Sequence, residues 1–402
     1  MKRSVFIIIG AALVLILIAV WLYVLFFSSS VSNEEEQFAN LDIENSDDPD
    51  YQAPEVEPET EPVVDVQANQ PLRQLTTRPV AGFAEIQAST STPKQVRYME
   101  VGTGHIYSIN LSSGQVERIS ATTITGAQKA AFSKDGMFVM IQAGFSSQKE
   151  FIVGEINPET NTLTNTKLAE PITSFSGTDD NQFLYSIQTN ASTIGKLFNP
   201  TEFTNETIFT VPFREASIEW GSDVTDPHYV YPKTSRLLES FLYQIENGVA
   251  TRMPVDGYGM SALGNKSSVV YSKQENNVYQ TYQFNIDSGI VSEVPLTQIP
   301  EKCAMSDGEL SVTICANTEY ESTALLPDNW YAGEVPAADK LWEIGSAGDR
   351  ATFLIDSEQA SGRGLDITEL QISEDMFNVY FTNQIDQTLW VYERIVNDVN
   401  QN

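Results

Sequence analysis

A repeat restricts this chain more than any other feature. Short runs rich in Val, Ile, Tyr and Phe recur, separated by turns such as Ser-Gly, Asp-Gly and Glu-Asn-Gly. KAAFSKDGMFVMIQAG, from Lys129, and FIVGEINPETNTLTNTKL, from Phe151, read as strand, Asp-Gly turn, strand, then strand, turn, strand. Similar openings begin at Ile172, Ala216, Met260, Lys302 and Leu370, with a weaker copy, VAGFAEI, at Val80. The equivalent positions Phe83, Phe132, Phe175, Glu219, Ala262, Ala304 and Ile372 are spaced by 49, 43, 44, 43, 42 and 68 residues. No long apolar pattern of helical period follows residue 80, so almost no helix is expected there. Four strands repeated every ~40–50 residues predict an all-β fold of propeller blades.

Seven openings predict a seven-bladed β-propeller over residues 72–396, with six or eight blades left open. The last unit has three clear strands, ending in TLWVYERI from Thr388. LRQLTTRPVAGF, from Leu72, parallels VERISATTITGAQKAAF, from Val116, which is an outer strand leading into the next unit. A strand near Arg73–Thr76 is therefore expected to complete the last blade and remove the open edge.

The FSKDG and ISED turns resemble those of WD40-like repeats of the TolB-like β-propeller type. With GTGHIY, the ATTIT stretch, KCAMSDGELSVTIC and LPDNWY, the layout is also similar to membrane-anchored bacterial propeller proteins. It departs from the Gly-His…Trp-Asp pattern of eukaryotic WD40 repeats and from the sialidase Asp-box, because Gly136 follows Asp135 directly. The resemblance implies a fold and a place, and no established activity.

Residues 5–27 form an apolar run without charge, preceded by Lys2 and Arg3 in a segment 1–4 expected to be cytoplasmic. As a helix the run reaches about 33 Å, enough for a hydrocarbon core of ~30 Å. Trp21 and Tyr23 stand near its distal end, as interfacial aromatics do. A signal-anchor helix, with the rest of the chain extracytoplasmic, is the expectation. A cleaved signal peptide is the rival, disfavoured by the length of the run and the poor cleavage match at Ser28–Ser30. Residues 28–71 read as a disordered, acidic, Pro-rich linker, with thirteen acids and no Lys or Arg over residues 34–65. Residues 397–402 read as a C-terminal tail.

Setting aside the linker acids and the two N-terminal cations leaves 41 acids against 21 bases. That balance argues against nucleic acid and against anionic membrane surfaces as partners.

Chemistry is hard to find. The two histidines, His105 and His228, make no His-rich metal set, and no HExxH, G-x-S-x-G or Walker A motif occurs. Gly257-Tyr258-Gly259-Met260-Ser261-Ala262 fits G-x-G-x-x-A but opens a strand, so a tight inter-blade turn is expected there. No catalytic residue, metal ligand or cofactor is assigned. Cys303 and Cys315 flank a turn in a register that would place them opposite each other, so a disulfide is expected, with two buried thiols as the alternative. The longest departure from the period lies between Cys315 and Leu370 and contains Asp328, Trp330, Tyr331 and Glu334, candidates for gripping a sugar or peptide. The competing role for Trp330 is to pin the insertion onto its blade. The functional expectation is a non-enzymatic binding or scaffold module for a protein or glycan partner at the cell envelope. The alternative is a glycosidase-like hydrolase using axial carboxylates, of which the sequence nominates no pair.

Overall fold

The computed structural model describes residues 70–86, 94–145, 148–306, 311–318, 325–335 and 338–394. The chain divides into two units, Met1–Thr60 and Glu61–Asn402, and every described residue belongs to the second. The expected anchor helix, nearly all of the expected linker and the C-terminal tail lie outside the described residues. Among the described residues no helix is long and apolar enough to cross a membrane.

Antiparallel sheets built from consecutive strands make up the structure. β2–β5 (Val80–Ile86, Gln95–Glu100, Ile106–Asn110, Val116–Ser120) form one sheet. β6–β9 (Ala127–Phe132, Phe138–Ala143, Glu150–Asn157, Thr162–Leu168) and β10–β13 (Ile172–Gly177, Phe183–Gln188, Thr193–Asn199, Thr204–Val211) form two more. β14–β20 (Ala216–Glu219, His228–Pro232, Glu239–Glu246, Val249–Gly264, Ser268–Glu275, Val278–Asn285, Val291–Glu293) make a single seven-stranded sheet. β21–β24 (Cys303–Met305, Thr313–Asn317, Lys340–Ile344, Ala351–Asp356) follow. β25–β27 (Ile367–Ile372, Asn378–Asn383, Leu389–Glu393) are completed by β1 (Leu72–Gln74).

The strand sequences reflect their place in each sheet. Second strands such as FVMIQA in β7 and FLYSIQ in β11 are largely apolar because neighbouring sheets cover both of their faces. Fourth strands such as TLTNTKL in β9 are mostly exposed, and Thr-rich polar sequence suits that edge. Apolar clusters weld successive sheets: Met99 and Ile106 against Val139 and Ile141, then Met140 and Phe151 against Phe183 and Tyr185, and so on around. Fully burying one such side chain contributes roughly 1.5–3 kcal/mol.

The two ends of the described chain meet as expected. Leu72, Arg73 and Gln74 pair with Tyr392, Val391 and Trp390. Arg73 forms an ion pair with Glu393, and the Leu389 amide donates to Thr76 Oγ1 at 2.9 Å. This closure gives β27 a partner on both sides and makes β1 the outer strand of the sheet.

The segment around Gly257 and Gly259 differs from expectation. No turn interrupts it; β17 runs unbroken for 16 residues, pairing first with β16 and then with β18. The register shifts between Tyr258 and Ser261, and Gly259 adopts a φ of +62°, so the strand bends without leaving the ladder. A Cβ at Gly259 would lie 3.1 Å from Arg236 Cα. Cys303 and Cys315 are register partners in β21 and β22, with Cα atoms 4.0 Å apart and their sulfurs bonded. The extra length of this region falls in two places. One is the β22–β23 connection, which carries helix α1 (Asp328–Tyr331); the other is helix α2 (Ser357–Ser361), between β24 and β25.

Candidate functional site

First strands of neighbouring sheets line the interior and must approach closely. Small residues permit this: a Cβ at Gly82 on β2 would lie 1.9 Å from the Ala130 carbonyl oxygen on β6. The strands β2, β6, β10 and β25 enclose a cavity of about 920 Å³. Its walls are polar, with Lys129, Thr173, Ser174, Ser176, Glu369 and Gln371 among them. Trp220 closes one side, its indole N–H donating to Ser174 Oγ at 2.9 Å. Glu369 has a φ of +52° within the register shift between Thr368 and Gln371. Burial raises its carboxyl pKa, opposed by the charge of Lys129 and by the Thr382 hydroxyl. At one mouth Lys134 Nζ lies 3.1 Å from Asp179 and 3.7 Å from Glu374. Burial works against the Lys134 ammonium, but these two carboxylates outweigh it and raise its pKa.

A second polar cluster contains Glu219 on β14, Tyr231 on β15, Ser261 on β17, Tyr279 on β19 and Glu301 in a 3-10 turn, Pro300–Lys302. Glu301 accepts from Tyr331 Oη through one carboxylate oxygen and from Ser261 Oγ, at 3.0 Å, through the other. Tyr279 Oη is 3.3 Å from Ser261 Oγ. Glu219 and Glu301 are electrostatically coupled. Burial, reinforced by the charge of Glu301, pushes the Glu219 carboxyl up to about 8. Burial also raises Glu301, against the hydrogen bonds it accepts. Neither acid lines the cavity described above.

No known protein family matches the sequence, and no curated protein matches it. Solved structures do. A catalytically inactive virginiamycin B lyase from Staphylococcus aureus, in complex with quinupristin, superposes with a TM-score of 0.50 at 13% identity, covering 81% of this chain and 99% of that one. The β-propeller domain of the Trilobed protease from Pyrococcus furiosus gives 0.48 at 13% identity, covering 81% and 98%. TolB from Acinetobacter baumannii gives 0.40 at 11% identity, covering 66% and 61%. The fold is a β-propeller. At these identities the likeness concerns the fold alone.

On the propeller the four insertion residues named from the sequence are brought together, held by the body rather than projecting from it. Trp330 is only 9% exposed and packs with Tyr279, Ile299 and Leu326. Asp328 accepts from the Arg236 amide at 2.9 Å and from Ser235 Oγ at 3.2 Å, in the β15–β16 connection. Glu334 accepts from the Asn329 side chain. Gln274, near the end of β18, donates to the Leu326 carbonyl. The insertion is thus a strap that leaves its own sheet and ties down onto the β15–β16 connection and the end of β18 in the seven-stranded sheet. Tyr331, 48% exposed, is the candidate that faces both solvent and the acid pair.

The strap is anchored at its far end by a buried charge group. Lys302 Nζ contacts Asp339 at 2.6 Å and Asp366 at 2.8 Å, and lies 5.8 Å from the centre of the Trp330 ring. Asp339 Oδ2 also accepts from the Ile367 amide at 2.6 Å. The histidines line neither cluster, although the His228 ring packs edge-on against Trp220 at 5.4 Å. His105 lies near Thr123, at 3.2 Å, and buried His228 accepts from the Gly221 amide at 3.0 Å.

Sequence reasoning did not single out Glu219, Glu301, Lys129 or Glu369 as functional. One signal was present: Glu219 occupies the repeat position that holds Phe83, Phe132 and Phe175 elsewhere. An acid where the other repeats hold an apolar side chain, Phe in three and Ala or Ile in three, is a departure worth following.

Proposed function

We propose that the chain is a membrane-anchored extracytoplasmic module whose seven-bladed propeller binds a protein or glycan partner at the cell envelope. The observation that carries this reading is the axial cavity of about 920 Å³, polar and lined by charges of both signs. Its size lies within the range of ligand sites, and its hydroxyls, amides and single indole suit hydrogen bonding to a sugar or a polar peptide segment. The count of seven is supported by β17, which serves as last strand beside β16 and first strand beside β18, dividing the seven-stranded sheet into two four-stranded units. The anchor rests on the apolar run over residues 5–27.

Photo-crosslinking from position 371 of the native protein, followed by mass spectrometry, tests the binding reading and tells protein from glycan. A Lys129→Glu, Glu369→Lys double variant should lose capture by about tenfold or more through mispaired charge. Capture that is unchanged in this variant, with the fold intact, defeats the reading. Protease added to intact cells tests the placement: release of the domain is expected, and full protection refutes it.

A further inference from the structure

The two ends of the axial cavity carry opposite charge balances. One end lies where the first strands finish, and ion pairs lace it across. Lys134, after β6, holds Asp179, after β10, at 3.1 Å and Glu374, after β25, at 3.7 Å. Lys94, ahead of β3, holds Asp375 and, at 3.3 Å, Glu85 on β2. The Asp135 amide donates to Asn181 Oδ1 at 2.8 Å, and the Asp179 amide to the Ser222 carbonyl at 2.9 Å. Two ammoniums there hold four carboxylates across the turns of neighbouring sheets.

The other end lies where the first strands start. Lys129 on β6 and Lys149 ahead of β8 line it, with Gln142, the register partner of Lys129. Lys149 precedes Glu150, the partner of Ala143, so all three belong to one corner of the β6–β9 sheet. Among the described residues neither lysine joins an ion pair, in a chain with 54 acids to 23 bases. The one lining acid at this end is Glu369, whose carboxyl feels the charge of Lys129. Glu369 holds a φ of +52°, an uncommon conformation for a side chain other than glycine, and such strain gathers where ligands are held. Two ammoniums against one carboxyl leave this end one negative charge short.

We infer that Lys129, Lys149 and Gln142 form a subsite for a single carboxylate of the ligand, supplied by the C-terminus of a peptide or by an acidic sugar. The subsite presupposes the binding role proposed for the cavity and specifies the group recognised there. Hydrogen bonds from an ammonium to a carboxylate are roughly twice as strong as neutral ones, and the Gln142 amide supplies a further donor. A flexible lysine acts as a point charge, so no fork geometry is required. A phosphate dianion fits less well, because its second charge would meet Glu369 with no third cation to answer it. At the laced end the lysines are already spent on acids, so the carboxylate has one end to choose and the ligand one orientation. Phe145, 68% exposed in the same β7–β8 connection as Lys149, offers an apolar contact to whatever carries the carboxylate.

Calorimetry on the full-length protein tests the subsite with two pairs of probes: Nα-acetyl-tetraalanine and its C-terminal amide, and digalacturonic acid and its methyl ester. Inorganic phosphate is the comparator. Expected are saturable binding of an acid form and a loss of about tenfold or more for its blocked counterpart. Lys129→Met combined with Lys149→Met should lose about tenfold or more as well. Both side chains are exposed, so the fold should hold, and an unchanged Tm checks it. Glu369→Gln should bind the same acid several-fold tighter, a gain that misfolding cannot produce. Binding of the peptide acid alone points to a partner's chain end, and binding of the sugar acid alone points to a glycan; both support the subsite. Equal affinity for acid and blocked forms overturns it, as does absence of saturable binding at millimolar probe, or binding of phosphate alone. A diazirine in the residue that bears the carboxylate should label residues 142–149; labelling of 178–179 or 374 reverses the orientation and overturns the subsite. Capture of a partner from position 371 that persists in the lysine double variant leaves the binding role standing and removes the subsite. Failure of that capture while the acid probes bind as expected removes the macromolecular partner and leaves the subsite.

Discussion

The stretch β2–β13 and the stretch β14–β24 are built from the same repeat and behave differently. In the first, three separate sheets follow one another, inner positions hold Phe83, Phe132 and Phe175, and the interior opens as a polar cavity. In the second, two units fuse through β17, a strap ties onto the β15–β16 connection and the end of β18, a disulfide joins β21 to β22, and Glu219 stands where the first three units hold Phe. The buried Lys302–Asp339–Asp366 group and the Glu219–Glu301 pair both belong to this irregular side. Repetition makes a scaffold, and chemistry collects where repetition fails.

The sharpest way to break this contrast is Trp330→Ala. With the ring buried against Tyr279, Ile299 and Leu326, the loss should be about 3–5 kcal/mol in denaturant unfolding. Gln371→Ala, in the regular cavity, should stay within about 0.5 kcal/mol. Equal effects of the two would dissolve the distinction between strap and cavity.

Next in size is the cysteine pair. The bond closes a loop of 12 residues, so Cys303→Ser with Cys315→Ser should cost about 2–3 kcal/mol. Mass spectrometry of unreduced protein gives the bonding state directly; quantitative alkylation of both thiols without reductant would remove the bond from the comparison.

The pH response should set Glu219 and His228 apart from ordinary surface groups. Glu219 is raised when folded, so its contribution is full below its unfolded pKa near 4.5 and declines as pH rises through about 8. Glu219→Gln should therefore gain on the parent by about 2 kcal/mol at pH 9 and little at pH 5. His228, lowered to about 4 chiefly by burial, acts in the other direction: its contribution is full above 6.5 and is lost as pH falls through about 4. Thermal melts of Glu219→Gln and His228→Gln across pH 4–9 check both signs, and parallel curves for parent and variants would contradict them.

Of the charge changes, the smallest effect should be that of Lys134→Met at the cavity mouth. Its pairs with Asp179 and Glu374 are solvent-exposed, so at most about 1 kcal/mol is expected, shrinking with added salt. A larger, salt-insensitive loss would mean that the regular side also depends on a structural charge.

Much of this was legible beforehand. Strand periodicity and Asp-Gly turns are local signals, and the likeness of LRQLTTRPVAGF to an outer-strand segment foretold the pairing of β1 with β27. The opposition of Cys303 and Cys315 followed from a short hairpin register. The fused sheet was not legible, because Gly257 and Gly259 read as a turn while the ladder on both sides carries the strand through. Nor was the acid pair. Glu219 and Glu301 belong to different repeats, and among 54 acids only the closed ring decides which two meet.

The clasp between β1 and β27 has a consequence in time. Arg73 and Glu393 are 320 residues apart, so the circle cannot shut until β27 has been made. Strands β2 to β27 can pair with a neighbour as they emerge, yet β1, synthesised first, must stay unspent until β27 appears. Contacts of such span form late and slowly, and the waiting edge is open to pairing with a second nascent chain. A free peptide spanning β1, supplied during refolding of a chain lacking it, would compete for that vacancy in trans and turn the order of assembly into a measurable rate.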